Sequence, residues 1–258
     1  MSIYNVIGKS YSQFRFPDRR IVDSILSSLQ LPPDSTIADI GAGTGGYSRA
    51  IAERGFLVYA VEPSEVMRSQ AVSHPQVKWI DGSAEAIPFP DNSVDAVICI
   101  SALHHFTDLE AALLEMHRVV KTGAIAFFTF DSQARKYFWL DDYFPFLWEY
   151  DECSFFPLQY ITSFIQTNFK KTVDIYPFPL PPDLTDLFLA AGWQRPEMYL
   201  NSEIRASMSA FALTAPQLVE MGVKQLEADL ISGKWKEKYE KYMRLTEFDF
   251  GYRILVAN

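Results

Sequence analysis

Glycines at 41, 43 and 46 in the run Ile37-Ala38-Asp39-Ile40-Gly41-Ala42-Gly43-Thr44-Gly45-Gly46 keep a G-x-G-x-x-G spacing where an apolar stretch gives way to a helical one. Glycine suits a sharp backbone turn or a place where a ligand must approach the main chain closely. Glu62 ends the next apolar run, where a carboxylate can accept both hydroxyls of a ribose. Together they argue for a nucleoside ligand without saying which nucleoside; read alone, the loop is also compatible with a tight turn that binds nothing. Asp39 disfavours a dinucleotide, because a carboxylate two residues before the first glycine would lie beside a pyrophosphate, whereas it suits an ammonium or sulfonium group. A second candidate cluster is Ser101-Ala102-Leu103-His104-His105-Phe106, which follows another apolar run. Either His104 or His105 could serve there as general base towards a hydroxyl nucleophile, or pack under the turn and bond backbone. His74 and His117 read as surface residues, and no ligand set for a metal is singled out.

The elements that must position these groups alternate. Thr36–Ile40, Leu57–Val61, Val77–Ile80, 94–100 and 124–130 have the length and composition of strands. Between them 47–54, 64–72 and 109–121 have helical spacing, and in the last Leu109, Ala112, Leu113, Met116 and Val120 share a stripe. Asp108 is placed to cap that helix and Gly123 to end it. This rhythm predicts an α/β, doubly wound, Rossmann-like parallel sheet with helices on both faces. After Ser132 the pattern changes: 137–156 is aromatic and acidic, Leu158–Phe169 reads as a helix and 173–176 as a strand. Prolines 177, 179, 181 and 182 follow, Asp183 opens a short helix ending near Gly192, 203–244 is largely helical, and Tyr252–Ala257 is a last strand. We read one domain over 1–258. Its core is 35–130, 158–192 and 250–258, with helical and aromatic cap insertions at 137–157 and 195–245.

Composition narrows the function classes. The 258 residues carry a formal net charge of −9, which counts against a general nucleic-acid binder. With 48% hydrophobic and 21% charged residues the chain is a folded globular protein. Two cysteines are too few for a disulfide framework, residues 1–16 lack the apolar core of a secretion signal, and no long apolar run would insert in a membrane. A cytoplasmic setting is expected. The 38 aromatic residues are unevenly spread: 127–156 holds 13 of them, where the chain average predicts about four. Phe138, Trp139, Tyr143, Phe144, Phe146, Trp148 and Tyr150 surround Asp141, Asp142, Glu149, Asp151 and Glu152, with no Lys or Arg from 141 to 152. That segment reads as a lid over a small molecule, as a homodimer surface, or as ordinary core packing.

Four motifs in order carry a family resemblance: Asp39-x-Gly41-x-Gly43-x-Gly45, Glu62-Pro63, Gly82-Ser83-Ala84-Glu85-Ala86-Ile87-Pro88-Phe89 and Leu103-His104-His105-Phe106. Over residues 35 to 130 the chain resembles class I S-adenosylmethionine-dependent methyltransferases, nearest the small-molecule branch with quinone-biosynthesis and trans-aconitate enzymes. The resemblance implies a seven-stranded sheet with its last strand antiparallel, S-adenosyl-L-methionine as cofactor, and O- or C-methylation of a small organic acceptor. It assigns Asp39 and the loop Gly41, Gly43, Gly45 to the methionine end, Glu62 to the ribose, and Pro63 and Met67 to the adenine. Ser83 and Ala84 would recognise adenine, and Ser101 and Leu103 would floor the methionyl chain. In such proteins the N-terminal arm folds over the cofactor, so Tyr11 would contact it and Arg15 or Arg19 would meet an anionic substrate. Many relatives carry Asp at the position of Ser83, a stronger acceptor for the adenine amino group, and Lys-Pro-Gly-Gly where this chain has Lys121-Thr122-Gly123-Ala124. Because the cofactor brings the reactive group, a fold of this kind can also serve as a binding or regulatory module.

Overall fold

The protein is described here from a computed structural model covering residues 11–258; of the N-terminal stretch read for a secretion signal, residues 1–10 lie outside the described residues. Five runs form the parallel strands β1 (Thr36–Ile40), β2 (Leu57–Val61), β3 (Val77–Ile80), β4 (Ala96–Ile100) and β5 (Ile125–Phe130), of which β4 and β5 are buried throughout and β3, at the edge, is only partly covered. They are joined by β6 (Val173–Pro177) and β7 (Tyr252–Ala257) in the order β3-β2-β1-β4-β5-β7-β6, and β7 runs antiparallel to both neighbours. The expected seven-stranded sheet with an antiparallel last strand is thus present. Side chains alternate across it: Ile37, Val58, Ala96, Ile98 and Phe128 enter one core, while Ala38, Val61, Val97, Cys99 and Phe127 enter the other.

The helices are, in chain order, α1 (Arg19–Leu29), α2 (Gly46–Ala52), α3 (Glu65–Arg68), α4 (Leu109–Val119), α5 (Leu140–Tyr143), α6 (Phe146–Ser154), α7 (Leu158–Phe169), α8 (Ser202–Ala206), α9 (Ser209–Ala212), α10 (Pro216–Ser232) and α11 (Lys234–Met243). Ile21, Val22 and Ile25 of α1 pack on the first face with Ile51 of α2. Leu113 and Met116 of α4 pack on the second with Ile161 and Ile165 of α7. Caps fix the starts: Asp18 accepts from the Arg20 N–H, Ser64 from Met67, and Asp108 from Ala111 as the sequence predicts.

Several expectations need correction. α4 ends at Val120 in extended backbone, so Gly123 is not its C′ residue. A Cβ on Gly123 would lie 1.8 Å from the Asp95 carbonyl oxygen, so close strand-to-turn packing is what requires glycine there. The expected helix at 183–192 is a series of turns. Its backbone groups are drawn to other partners: the Leu187 N–H donates to Phe14, the Leu184 and Ala191 carbonyls accept from the Arg195 guanidinium, and the Leu189 carbonyl accepts from the Tyr199 hydroxyl. The stretch 64–72 is helical only over α3. His117 is half-buried and stacks on Phe169, with ring centroids 4.1 Å apart.

The aromatic segment mostly joins the core on the first face of the sheet. Phe138, Trp139 and Phe144 are buried, and Trp139 meets Phe138, Tyr199 and Trp235 edge-on while its indole N–H donates to the Trp193 carbonyl at 2.8 Å. The cap is tied down by Arg135, just after β5. Its guanidinium meets Asp141 of α5 through both terminal nitrogens and Asp151 of α6 through Nε at 2.6 Å, sandwiched against Trp148 and Phe250. Truncation of a large buried aromatic removes its packing and opens a cavity, so Trp139→Ala should cost about 3–5 kcal/mol in urea denaturation. A loss within the error of the measurement would return Trp139 to the role of a mobile lid.

Candidate active site

The carboxyl ends of β1, β2 and β4 open on a cleft of about 500 Å³, at the point where neighbouring connections leave the sheet on opposite faces. The glycine loop forms its floor. Gly41 and Ala42 donate their N–H groups to the Val61 carbonyl at 2.9 and 3.1 Å, which turns the chain sharply out of β1. Gly41 has φ +76°, and a Cβ there would lie 2.6 Å from the Ala102 methyl. Gly45, at φ +75°, serves packing instead: a Cβ would strike the Trp79 ring at 2.4 Å.

Glu62 stands opposite the loop. Its carboxylate accepts from the Gly43 N–H at 3.0 Å and the Ser64 N–H at 2.8 Å, so the acid is oriented by backbone. Burial pushes its carboxyl up, and those two N–H groups pull back against the rise. Pro63, Met67, Ser83, Ala84, Ser101 and His105 also line the cleft, with Gly41, Gly43 and Tyr11. Ser101 holds φ +53°, a left-handed conformation unusual for serine, and its N–H donates to the Phe128 carbonyl at 2.8 Å. Asp39, Gly45, Leu103 and His104 lie outside the lining of the cleft. Asp39 sits behind the loop, buried, accepting from the Ser48 hydroxyl at 2.6 Å.

A second, smaller pocket of about 60 Å³ adjoins the cleft and shares Tyr11, Arg15, Ser101 and His105 with it. Both histidines line this pocket, their ring centroids 3.8 Å apart, and His104 lies against Phe155 at 4.4 Å. Burial, with the Arg15 charge nearby, pushes His105 down to about 4 and His104 well below the usual imidazole range. Both are therefore neutral at pH 7. Arg15 is paired with Asp186, which also accepts from the Tyr47 hydroxyl at 2.9 Å, while Arg19 points outward from the first turn of α1. Asp186, Asp151, Tyr252 and Met208 line these spaces and were not singled out from sequence. For Asp151 a signal existed in the local acidity of 141–152, but its partner Arg135 lies just before that window. Among the described residues no cluster could hold a metal ion, and no helix is long and apolar enough to cross a membrane.

The fold and cleft define a Rossmann-like protein built to hold a nucleoside by an oriented carboxylate, a glycine turn and apolar walls. Residues 38–128 match the family described as Methyltransferase domain. A solved structure from Anabaena variabilis ATCC 29413, a candidate methyltransferase from an antibiotic biosynthesis pathway, is 53% identical, covers 95% of this chain and 99% of its own, and superposes with a TM-score of 0.92. The 2-methyl-6-phytyl-1,4-hydroquinone methyltransferase of Synechocystis is 39% identical over 37% of this chain, and the ubiquinone/menaquinone biosynthesis C-methyltransferase of Rubrivivax gelatinosus is 38% identical over 34%. The match spans only 31% and 36% of those two relatives' lengths. The chain belongs to the methyltransferase domain family.

Burial raises the Asp39 carboxyl to about 6 from its ordinary 3.8. An acid whose folded value lies above its unfolded one stabilises the fold below the unfolded value and loses that contribution as pH rises through the folded value. Asp39→Asn keeps the contact with Ser48 and removes the charge. Its stability relative to the parent should therefore rise between pH 4 and pH 8, by up to about 3 kcal/mol, in denaturation midpoints measured at both pH values. A difference independent of pH would show that the carboxyl is not perturbed.

Proposed function

We propose that this chain is one methyltransferase domain that binds S-adenosyl-L-methionine in the large cleft and methylates a small organic molecule, partly apolar or aromatic, at oxygen or carbon. The supporting observation is that an aromatic pocket opens into a nucleoside-sized cleft at Ser101 and His105. The residues present fit the cofactor. Glu62 offers a carboxylate for the ribose hydroxyls, the Gly41–Gly43 turn and Tyr11 line the place for the methionyl end, and Pro63, Met67 and Ala84 give apolar walls for adenine. Ser83 and the Ala84 backbone take the recognition of adenine polar atoms. Asp39 would act from behind the loop by fixing α2 through Ser48. Leu103 and Gly45 support the floor without lining it.

When bound, the cofactor supplies a methyl group on a positively charged sulfur, and its transfer leaves a neutral thioether. The protein's tasks are then to align the acceptor, exclude water and receive a proton where the nucleophile carries one. His105 is the group at the junction with a neutral ring; at about 4 it is a weak base, so its help to a hydroxyl nucleophile is modest. Two free cysteines, Cys99 buried and Cys153 exposed, support a reducing, cytoplasmic setting.

Isothermal titration should show S-adenosylhomocysteine binding that Glu62→Ala weakens about 10–100-fold, the loss of charged hydrogen bonds to a diol. Labelled methyl from the cofactor should enter a component of a metabolite extract with the parent protein and far less with Glu62→Ala. Binding of NAD without either sulfur ligand would overturn the reading.

A further inference from the structure

The small pocket carries an unbalanced charge. At its mouth Arg15 is neutralised by Asp186, and its two histidines are neutral. In its wall, however, one guanidinium is shared by two carboxylates. Asp141 is saturated: both oxygens meet Arg135, and one also accepts from the Phe138 N–H at 3.0 Å. Asp151 is only 1% exposed yet spends a single oxygen, Oδ2, on Arg135. Its Oδ1 has no hydrogen-bond partner among the described residues, nor has the hydroxyl of Tyr252, which lines the same pocket. Arg135 with Asp141 and Asp151 leaves one net negative charge in a space walled by the rings of Phe130, Phe155 and Phe250.

Two buried carboxylates that share one guanidinium leave a charge uncompensated, which is costly, and aromatic faces present negative potential. An anionic occupant would add to that repulsion, and a neutral hydroxyl would leave the charge standing. Resting on the methyltransferase reading above, we propose that Asp151 anchors a protonated amine of the methyl acceptor, so that acceptors are small aryl or alkyl compounds bearing a basic nitrogen. That nitrogen is not the atom methylated, since its lone pair holds a proton. The nucleophile is a second atom of the same molecule, held at the Ser101 and His105 junction. Asp151 belongs to the pocket and not to the cleft, so anchoring and cofactor binding are separable. Burial raises the Asp151 carboxyl to about 6 against the pull of Arg135, which leaves it ionised in most molecules at pH 7 and ready for a cation.

The test uses the full chain saturated with S-adenosylhomocysteine at pH 7.5 and three probes of one shape: phenethylammonium, 2-phenylethanol and phenylacetate, followed by ligand-detected NMR or titration calorimetry. The ammonium should bind at least about tenfold tighter than the alcohol, as expected of a desolvated ion pair with aromatic contacts. Asp151→Asn should erase that preference while S-adenosylhomocysteine affinity stays within about twofold. Equal binding of alcohol and ammonium, preference for phenylacetate, or a preference that survives Asp151→Asn overturns the proposal. The probe series on the parent protein decides the matter even if the variant does not fold. Failure of S-adenosylhomocysteine to bind the parent would instead sink the underlying methyltransferase reading.

Discussion

The bidentate grip of Arg135 on Asp141, with its third contact to Asp151, is the interaction on which the upper half of the molecule depends. It holds α5 and α6 together just beyond β5, alongside the contacts of Asp142 with Lys238 and Tyr239 and of Tyr143 with Asp229. The fork of the guanidinium adds direction: three nitrogens in one plane reach both carboxylates, Asp141 through both of its oxygens and Asp151 through one. The ion cluster is buried, so its net stabilisation is small relative to apolar replacements, and its value lies in specifying geometry. Trp148 and Phe250 close over the guanidinium and link the clamp to the last strand.

The same clamp sets the electrostatics of the neighbouring pocket. Two arginines approach the site, and each is already matched by an acid, so neither is available as a bare anion receptor. Of the two arginines expected to meet an anionic substrate, Arg15 is paired with Asp186 and Arg19 is exposed at the start of α1. The histidines, held down by burial, are neutral at pH 7. Burial has thus converted a set of nominally charged residues into a site whose field is dominated by one carboxylate and several ring faces.

The parallel core was legible in the sequence because its central strands β1, β4 and β5 are buried on both faces and its loop chemistry is local. Glu62 ends β2 where the spacing put it, and Asp108 caps α4 as its position before an apolar stripe suggested. What was illegible depended on partners far away in sequence. The turns at 183–192 look helical until Arg195, Tyr199 and Phe14 claim their backbone groups. Gly123 resembles a helix terminator until the Asp95 carbonyl comes up against it. Trp139 and Phe144 have the composition of a lid, and only the surrounding rings of Tyr199, Trp235 and Phe211 reveal them as core. At the site, types and spacing identified the cleft but not the depth of each side chain, so Asp39 and His104 were placed at a surface that they stand behind or beside.

The insertion of β7 between β5 and β6 bears on how the molecule is made. A ribosome that has released residues 36–130 has delivered the five parallel strands, which can pair at once. β6 follows, but among the described residues its sole partner in the sheet is β7, whose residues emerge some eighty positions later. Until then β5 and β6 each present an open edge, and Phe128 and Phe130 lack the Tyr252 ring that packs against them. Tyr252 also lines the small pocket, so the wall of the proposed acceptor space is among the last parts of the chain to arrive. A nascent or truncated chain could therefore hold the cofactor cleft while having no finished place for a second substrate.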